Sequence, residues 1–306
     1  AHRGVWLWFG RNEEGGLRCP YHGWKYDVDG QCVELPSEGA DGPMCRRIRL
    51  KSYPCIEAGG VIWTYMGPPQ SRPPRPQLEW VRVRAERRYA SKRLQACTYL
   101  QALEGGIDSS HVSFLHSGAL KSDPLLAGSR GNRYNERDLM PQFEVAEFSG
   151  GLLIGARRNA DNDCYHWLIT PFIMPWYTII PPRAGHPLGA HAWVPIDDEQ
   201  CWAWSINYHP RRALSEAEVQ AMKDGKGIHC RYVPGTFVPL QNSSNDYLMD
   251  RAAQKAGITF SGVEGIAMQD ASVQESMGPI QDRTRENLCP TDLGIVMTRR
   301  LLLAAA

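Results

Sequence analysis

The 306-residue chain has no long hydrophobic run. No stretch of about 18 consecutive apolar residues occurs, so the sequence predicts no transmembrane helix. The net charge is only +1, which argues against the strongly basic surface that binds nucleic acid or acidic lipid. The chain also shows no internal repeat and no low-complexity tract. We therefore expect a globular protein whose partners include neither nucleic acid nor a membrane.

The cysteines do not form a recognisable disulfide pattern. There are nine of them, an odd number, and they are scattered along the chain. A disulfide framework is therefore not predicted. This usage fits a reducing compartment, and we expect a cytoplasmic protein.

A proline-rich segment divides the chain. Residues 67–78, "GPPQSRPPRPQL", contain five prolines, which is typical of an extended linker. Before it, residues 1–66 hold short strand-like runs broken by glycine and proline, beginning with Val5–Phe9, and predict a small all-β domain. After it, residues 79–306 predict an α+β domain in which helices pack on one antiparallel sheet.

Helices and strands of the second domain follow from periodicity and turn signals. Leucines and a cysteine at helical spacing over residues 94–103 predict a helix, which two glycines end before a second helical stretch begins near Ile107. Residues 214–224 and 245–288 are predicted to be mostly helical. The predicted strands are Gln142–Phe148, Leu152–Arg158, Tyr165–Thr170, Trp176–Pro181, Gly189–Pro195 and Cys201–Tyr208.

The segment "LRCPYHGWKYD" places Cys19 and His22 on one tight turn, and His2 precedes Cys19 by seventeen positions. A thiolate and two imidazoles are therefore available, and a second thiolate would complete a four-ligand set. Zinc accepts such ligands. So does a Rieske [2Fe–2S] cluster, in which two histidines replace two cysteines on one iron.

A second candidate metal site lies in "EGGIDSSHVSFLH". Asp108 and His111 are three residues apart and would share a helix face. His116 lies five residues after His111 and would not converge with it on an ideal helix, so the helix is expected to bend or end before Gly118. Two histidines and a carboxylate form the facial triad of non-haem Fe(II) oxygenases.

A further carboxylate can be sought downstream by pattern. Asp270 falls on a predicted apolar helical stripe, and a carboxylate that faces a core is costly unless it is paired or binds a metal. The stripe consists of Ile266, Val273, Met277 and Ile280. Glu264 is a weaker candidate. A buried salt bridge or helix cap at Asp270, and hydrogen-bonded core histidines at positions 111 and 116, are the alternative interpretations.

Three segments carry a family resemblance. "HRG…CPYHGW", "LQALEGGIDSSHVSFLH" and "QESMGPIQDRTRE" resemble the Rieske ring-hydroxylating oxygenases, in particular the α-subunit-only branch of phthalate dioxygenase type. The resemblance implies a Rieske β domain followed by a helix-grip catalytic domain. It also implies that His2 and His22 ligate one iron of the [2Fe–2S] cluster. Cys19 would ligate the other iron, together with a cysteine just before Ala1.

The same resemblance implies ligands and partners for the second site. His111, His116 and Asp270 would bind a mononuclear Fe(II). Asp108 would be catalytic, accepting a hydrogen bond from His22 of a neighbouring subunit in a homotrimer or stacked hexamer. A flavin and [2Fe–2S] reductase using NAD(P)H would supply electrons, and O₂ would be the oxidant.

The implied reaction is cis-dihydroxylation of a phthalate-like aromatic carboxylate. Such dianions call for arginine and serine donors. Ser109 is a candidate by resemblance, and Arg137, Arg157 and Arg158 are candidates that could equally be surface charges. The apolar wall would come from Trp167, Phe172 and Trp176, for which core packing is an equal alternative.

Two other functions fit parts of this pattern. One is a Rieske monooxygenase or O-demethylase that acts on a bulkier aryl substrate. The other is a non-catalytic protein with zinc or no cluster, which would apply if the chain began at Ala1. Product analysis distinguishes a monooxygenase or O-demethylase from a dioxygenase. Metal content distinguishes the non-catalytic protein from either enzyme.

Overall fold

The computed structural model describes residues 2–38 and 42–306. Residues 1 and 39–41, which the sequence assigns to the N-terminal domain, lie outside this description. The chain forms two compact units, Ala1–Gln77 and Leu78–Ala306. The division between them falls inside the predicted linker. Within the described ranges, no helix is both long and apolar enough to cross a bilayer.

The first unit is built on short antiparallel strands. Four of them form one sheet in sequence order, namely β1 (Arg11–Glu13), β2 (Gly16–Arg18), β3 (Lys25–Asp27) and β4 (Cys32–Glu34). A short helix α1 (Pro43–Arg47) follows, and then a hairpin of β5 (Cys55–Ala58) and β6 (Val61–Thr64). The predicted strand Val5–Phe9 is wrong, because Leu7–Phe9 is a 3-10 helix.

The second unit contains one antiparallel sheet, as the sequence predicts, but it has seven strands instead of the six predicted. Its strands are β7 (Arg88–Gln95), β8 (Gln142–Phe148), β9 (Gly151–Asn159), β10 (Tyr165–Ile173), β11 (Tyr177–Ile179), β12 (Leu188–Pro195) and β13 (Cys201–Tyr208). Their order is β7-β13-β12-β11-β10-β9-β8. The sequence missed β7, whose position at the sheet edge depends on long-range pairing with β13. The α+β fold class is confirmed.

Helices accompany this sheet. They are α2 (Glu79–Arg82), α3 (Tyr99–Ile107), α4 (Ala119–Ser122), α5 (Asn132–Arg137), α6 (Glu216–Lys223), α7 (Arg251–Lys255), α8 (Ile266–Ser276) and α9 (Leu293–Ala305). Among them, α2, α3, α5 and α9 contact its strands. Helix α3 lies against β12, and its Leu103 and Ile107 join Leu152, Phe172 and Trp193 in the main core. This packing anchors the end of α3, where the candidate metal site begins.

The predicted helix boundaries around α3 are wrong. Residue 94 lies on β7 rather than on a helix, and Gly105 and Gly106 lie inside α3 instead of ending it. The reason is close packing. A Cβ atom on Gly106 would lie 2.1 Å from Cη2 of Trp193, and one on Gly105 would lie 2.1 Å from Nε2 of Gln274. These glycines let α3 approach its neighbours.

The predicted apolar stripe on α8 is confirmed only at Ile266, which is buried. Val273 and Met277 are exposed, and Ile280 lies beyond the helix end. The rest of the buried face consists of Ala267, Met268, Gln269, Ala271 and Gln274. Helix α8 is therefore held by hydrogen bonds as well as by apolar contacts.

We expect Gly106→Ala to destabilise the protein. Alanine is favoured over glycine inside a helix by up to about 1 kcal/mol, but the clash with the buried Trp193 ring makes this an overpacking substitution, which typically costs about 1–3 kcal/mol. A net decrease in the free energy of unfolding should appear in urea denaturation. An unchanged or increased free energy would contradict the close contact.

Candidate metal centres

Asp108 is held at the end of α3 by local hydrogen bonds. It is the C-cap residue, with φ −80° and ψ 131°, so the chain leaves the helix at this point. Its Oδ1 accepts the amide of Ser110 at 2.7 Å, and its Oδ2 accepts the amide of His111 at 3.1 Å. An aspartate that folds back onto its own downstream backbone in this way favours a turn.

This turn brings Asp108 to His111. Nδ1 of His111 lies 3.0 Å from Oδ2 of Asp108. The prediction that both residues share a helix face is wrong, because His111 begins a separate 3-10 turn, His111–Ser113. The predicted break in the helix before His116 therefore occurs earlier than expected, directly after α3.

Three donor atoms converge at this point. Nε2 of His111 lies 3.2 Å from Nε2 of His116. Oδ1 of Asp270, on α8, lies 3.3 Å from Nε2 of His116 and 3.5 Å from that of His111. In the described ranges this is the one group of three His, Cys, Asp or Glu side chains arranged to hold a metal ion. Glu264 lies apart, with Oε1 2.8 Å from Nζ of Lys226.

The spacing of these donors fits one metal ion. Bonds of about 2.0–2.2 Å from nitrogen and oxygen ligands to a small cation place neighbouring ligand atoms roughly 3 Å apart. Two imidazoles and a carboxylate on one side of an ion leave its other positions open, as non-haem Fe(II) oxygenases require.

The electrostatics of the site favour ionised carboxylates. Burial raises the pKa of Asp270, but His116, His111 and Arg93 outweigh it and bring the pKa down to about 2. Burial also raises the pKa of Asp108, and the hydrogen bonds from His111 reverse that effect, so its pKa is lowered. His111 and His116 therefore lie beside two negatively charged carboxylates. These charges favour the binding of a cation by the histidines.

A cavity of about 130 Å³ adjoins the three donors. Its apolar walls include Leu120, Leu125, Leu168, Ile180, Ile228 and Ile266. Arg183 lines it as well, and its Nε donates to Oδ1 of Asn132 at 3.4 Å. In the described part of the chain Arg183 forms no salt bridge, and Asp123 is the acidic group close enough to counter the lowering of its pKa by burial.

The predicted substrate residues divide between the cavity and elsewhere. Ser109 lines the cavity. Arg158 is fully buried behind it, and its Nη2 donates to the carbonyl oxygen of Ser109 at 2.7 Å. Arg137 is exposed and pairs with Asp161 at 2.7 Å, so it does not line the cavity.

The remaining predicted residues also lie away from the cavity. Arg157 lies over the Tyr165 ring, with its guanidinium carbon 4.2 Å from the ring centre. Phe172 is a fully buried core residue. Neither Trp167 nor Trp176 is among the cavity-lining residues. The aromatic wall predicted from the sequence is therefore replaced by leucine, isoleucine and proline.

In the first unit the predicted cluster ligands lie together at the surface. The amide of Gly23 donates to the carbonyl oxygen of Cys19 at 3.0 Å and closes the turn that contains His22. The His2 and His22 ring centres are 4.6 Å apart, and His2 stacks on Trp24 at 4.4 Å. Both histidines are exposed.

These residues fit three positions of a Rieske ligand set. Cys19, His2 and His22 line one small cavity of about 20 Å³, and the imidazoles are at the surface while the thiol is partly covered. The predicted fourth ligand, a cysteine before Ala1, lies outside the described residues.

Comparison with known proteins identifies the family. Residues 1–54 match the Rieske [2Fe–2S] domain family, and residues 64–306 match the family described as LigXa C-terminal domain like. The chain is 37% identical to the 3-chlorobenzoate-3,4-dioxygenase oxygenase subunit of Comamonas testosteroni, over 99% of this chain and 72% of that protein. The chain belongs to the Rieske oxygenases of phthalate dioxygenase type.

Other similarities agree with this assignment. The phthalate 4,5-dioxygenase oxygenase subunit of Pseudomonas putida is 35% identical, over 99% of this chain and 70% of that protein. The structure of dicamba monooxygenase bound to dicamba matches the fold with a TM-score of 0.66 at 17% identity, over 99% of this chain and 83% of that one. As a member of the Rieske oxygenases, the 306-residue protein is an oxidoreductase. Its cofactors are a Rieske [2Fe–2S] cluster and a mononuclear non-haem iron.

We expect Asp270→Ala to remove the mononuclear iron and leave the cluster in place. The substitution deletes one of three converging donors and leaves the first unit untouched. Iron analysis and the visible absorption of the cluster measure the two metals separately. Glu264→Ala is the matched control and should retain the mononuclear iron. Equal iron loss in both variants, or in neither, would contradict the ligand assignment.

Proposed function

We propose that this protein is a terminal oxygenase that uses O₂ and reductase-derived electrons to hydroxylate an aromatic carboxylate, by cis-dihydroxylation of the ring. The observation that carries the proposal is the group of His111, His116 and Asp270 beside an apolar cavity that contains Arg183. An iron site with open positions thus lies next to an apolar space for an aromatic ring. The same space contains a cation that can pair with a carboxylate.

The proposed roles follow the two metal sites. His111, His116 and Asp270 would hold the mononuclear iron, and His2, His22 and Cys19 would hold the cluster with a fourth ligand. The iron supplies O₂ activation and the cluster supplies single electrons. Asp108 orients the His111 ring through its hydrogen bond.

Cavity size and charge support a particular class of substrate. An apolar cavity of about 150 Å³ holds benzene in an engineered protein, so a cavity of about 130 Å³ is of the size that accommodates one aromatic ring rather than two. Arg183 is the sole lysine or arginine that lines the cavity in the part of the chain that the structure describes. One cation favours a monocarboxylate over the phthalate-like dianion expected from the sequence.

Arg183 is suited to bind that carboxylate. Burial lowers its pKa, although nearby Asp123 opposes the effect. A partly desolvated guanidinium gains more from an anionic partner than an exposed one does. Ser109, also on the cavity wall, would donate a second hydrogen bond.

Electron supply and assembly belong to the same proposal. We propose a flavin and [2Fe–2S] reductase using NAD(P)H as the donor, a homotrimer or stacked hexamer, and a cytoplasmic location. Oδ1 of Asp108 accepts one backbone amide and keeps a lone pair, which would allow a bond from His22 of a neighbouring subunit. The nine free cysteines support a reducing compartment.

The second candidate is a Rieske monooxygenase or O-demethylase. The 5,5'-dehydrodivanillate O-demethylase oxygenase subunit of Sphingobium is 28% identical, over 99% of this chain and 64% of that protein. The single-ring volume of the cavity favours the first candidate over a bulkier biaryl substrate. A non-catalytic zinc protein is inconsistent with family membership.

We expect turnover of 3-chlorobenzoate with oxygen-18-labelled O₂ and an NADH-driven reductase to give a cis-dihydrodiol that carries both labelled atoms. A methoxybenzoate that yields a phenol and formaldehyde would favour the O-demethylase instead. Mass spectrometry of the products distinguishes the two. Absence of oxygen incorporation into any aryl carboxylate, with both metal sites filled, would contradict the proposal.

Replacing Arg183 tests the carboxylate site. Loss of a hydrogen bond to a charged group costs about 1.5–3 kcal/mol, so Arg183→Leu should weaken benzoate binding by roughly ten- to a hundredfold. Arg183→Lys should retain part of the affinity. The exposed Arg137→Leu is the control and should bind as the native protein does. Equal losses in the Arg183 and Arg137 variants would contradict the assignment.

A further inference from the structure

A buried amide lies directly behind one of the two histidines. Oε1 of Gln269 lies 2.8 Å from Nδ1 of His116. Gln269 is 1% exposed and His116 is 4% exposed, so water does not compete for this bond. The sequence did not indicate a role for Gln269, because the family resemblance implied a metal ligand only at its neighbour Asp270.

The second hydrogen bond of this amide fixes its orientation. Nε2 of Gln269 donates to the carbonyl oxygen of Val263 at 3.0 Å. A backbone carbonyl can only accept, so the NH₂ group must face Val263 and Oε1 must face His116. An amide oxygen can also only accept, so the proton of His116 lies on Nδ1.

The tautomer of His116 determines what the other ring nitrogen can do. With the proton on Nδ1, Nε2 has a free lone pair. This is the atom that lies 3.2 Å from Nε2 of His111 and 3.3 Å from Oδ1 of Asp270. Outer hydrogen-bond partners of this kind orient metal-binding histidines and raise metal affinity.

We propose that Gln269 is a positioning residue for the mononuclear iron, which holds His116 in the tautomer and orientation that present Nε2 to the metal. Gln269 and Asp270 are adjacent on α8 and contact opposite nitrogens of the same imidazole. One turn of α8 therefore supplies a metal ligand on the Nε2 side of the His116 ring and a hydrogen-bond acceptor on its Nδ1 side.

The two histidines would be supported differently. Asp108 faces Nδ1 of His111 with a charged carboxylate, whereas Gln269 faces Nδ1 of His116 with a neutral amide. A charged acceptor makes the imidazole more electron-rich than a neutral one does. Gln269 thus gives His116 its geometry without adding a further negative charge to a site that already contains Asp108 and Asp270.

Fe(II) affinity tests this proposal independently of turnover. The full-length protein, with its cluster assembled and its mononuclear iron removed by mild chelation, is titrated with Fe(II) against a competing chelator. Loss of an outer-shell partner typically costs about 10- to 100-fold in metal affinity, and we expect this loss in Gln269→Leu. Gln269→Glu keeps an acceptor at the same reach and should bind Fe(II) within about threefold of the native protein or more tightly.

Gln274→Leu is the matched control. Gln274 is a glutamine on the same helix, is 6% exposed, and accepts a hydrogen bond from Gln95 at 2.6 Å. Its loss should lower stability without weakening Fe(II) binding. Should Gln269→Leu fail to fold, Gln269→Asn removes the acceptor by shortening the side chain and is expected to show the same loss.

Three results would overturn the inference. They are native affinity in Gln269→Leu, an equal loss in Gln274→Leu, and failure of Gln269→Glu to restore binding. The inference rests on His111, His116 and Asp270 being iron ligands. Failure of that assignment would already be evident from the native protein, which would then bind no Fe(II) at this site.

Discussion

Two imidazole nitrogens and one carboxylate oxygen face one another at 3.2–3.5 Å on one wall of a largely apolar cavity. Asp270 is ionised at neutral pH, since its pKa is lowered to about 2. Electron-rich atoms at this spacing repel one another unless a proton or a cation lies between them. A bound metal ion relieves the repulsion, and the packing of α3 and α8 holds these three atoms close together.

Helix packing fixes the positions of the donors. Gly106 allows α3 to approach Trp193 on β12 closely, and the helix then ends where Asp108 folds the chain into the turn that carries His111. Helix α8 is joined to this region by amides, because Nε2 of Gln101 donates to the carbonyl of Gln274 at 2.7 Å. The ligands thus stand on elements that are fixed to each other through buried groups, which limits their freedom before any metal binds.

The sequence was most informative where chemistry depends on spacing. The Cys-x-x-His turn and the Asp108–His116 segment could be found because short motifs keep their residues at fixed separations. The downstream Asp270 was indicated by the family resemblance, because Val273 and Met277 of the stripe used to select it are exposed. The sequence was least informative where long-range packing determines the local structure. Strand β7 forms through pairing with β13, and the two glycines continue α3 because of Trp193 and Gln274. The buried face of α8 includes two glutamines because their amides find hydrogen-bond partners there. Arg183 was missed because nothing in "PPRAGHP" reveals that this loop reaches the cavity.

Anomalous diffraction at the iron absorption edge, from crystals of the protein with both cofactors, shows directly whether these three side chains bind iron. We expect an isolated iron peak within bonding distance of Nε2 of His111, Nε2 of His116 and Oδ1 of Asp270, in addition to the cluster irons near Cys19 and His22. An iron peak that lacks Asp270 as a neighbour, or density for another metal in the native protein at this site, would contradict this expectation.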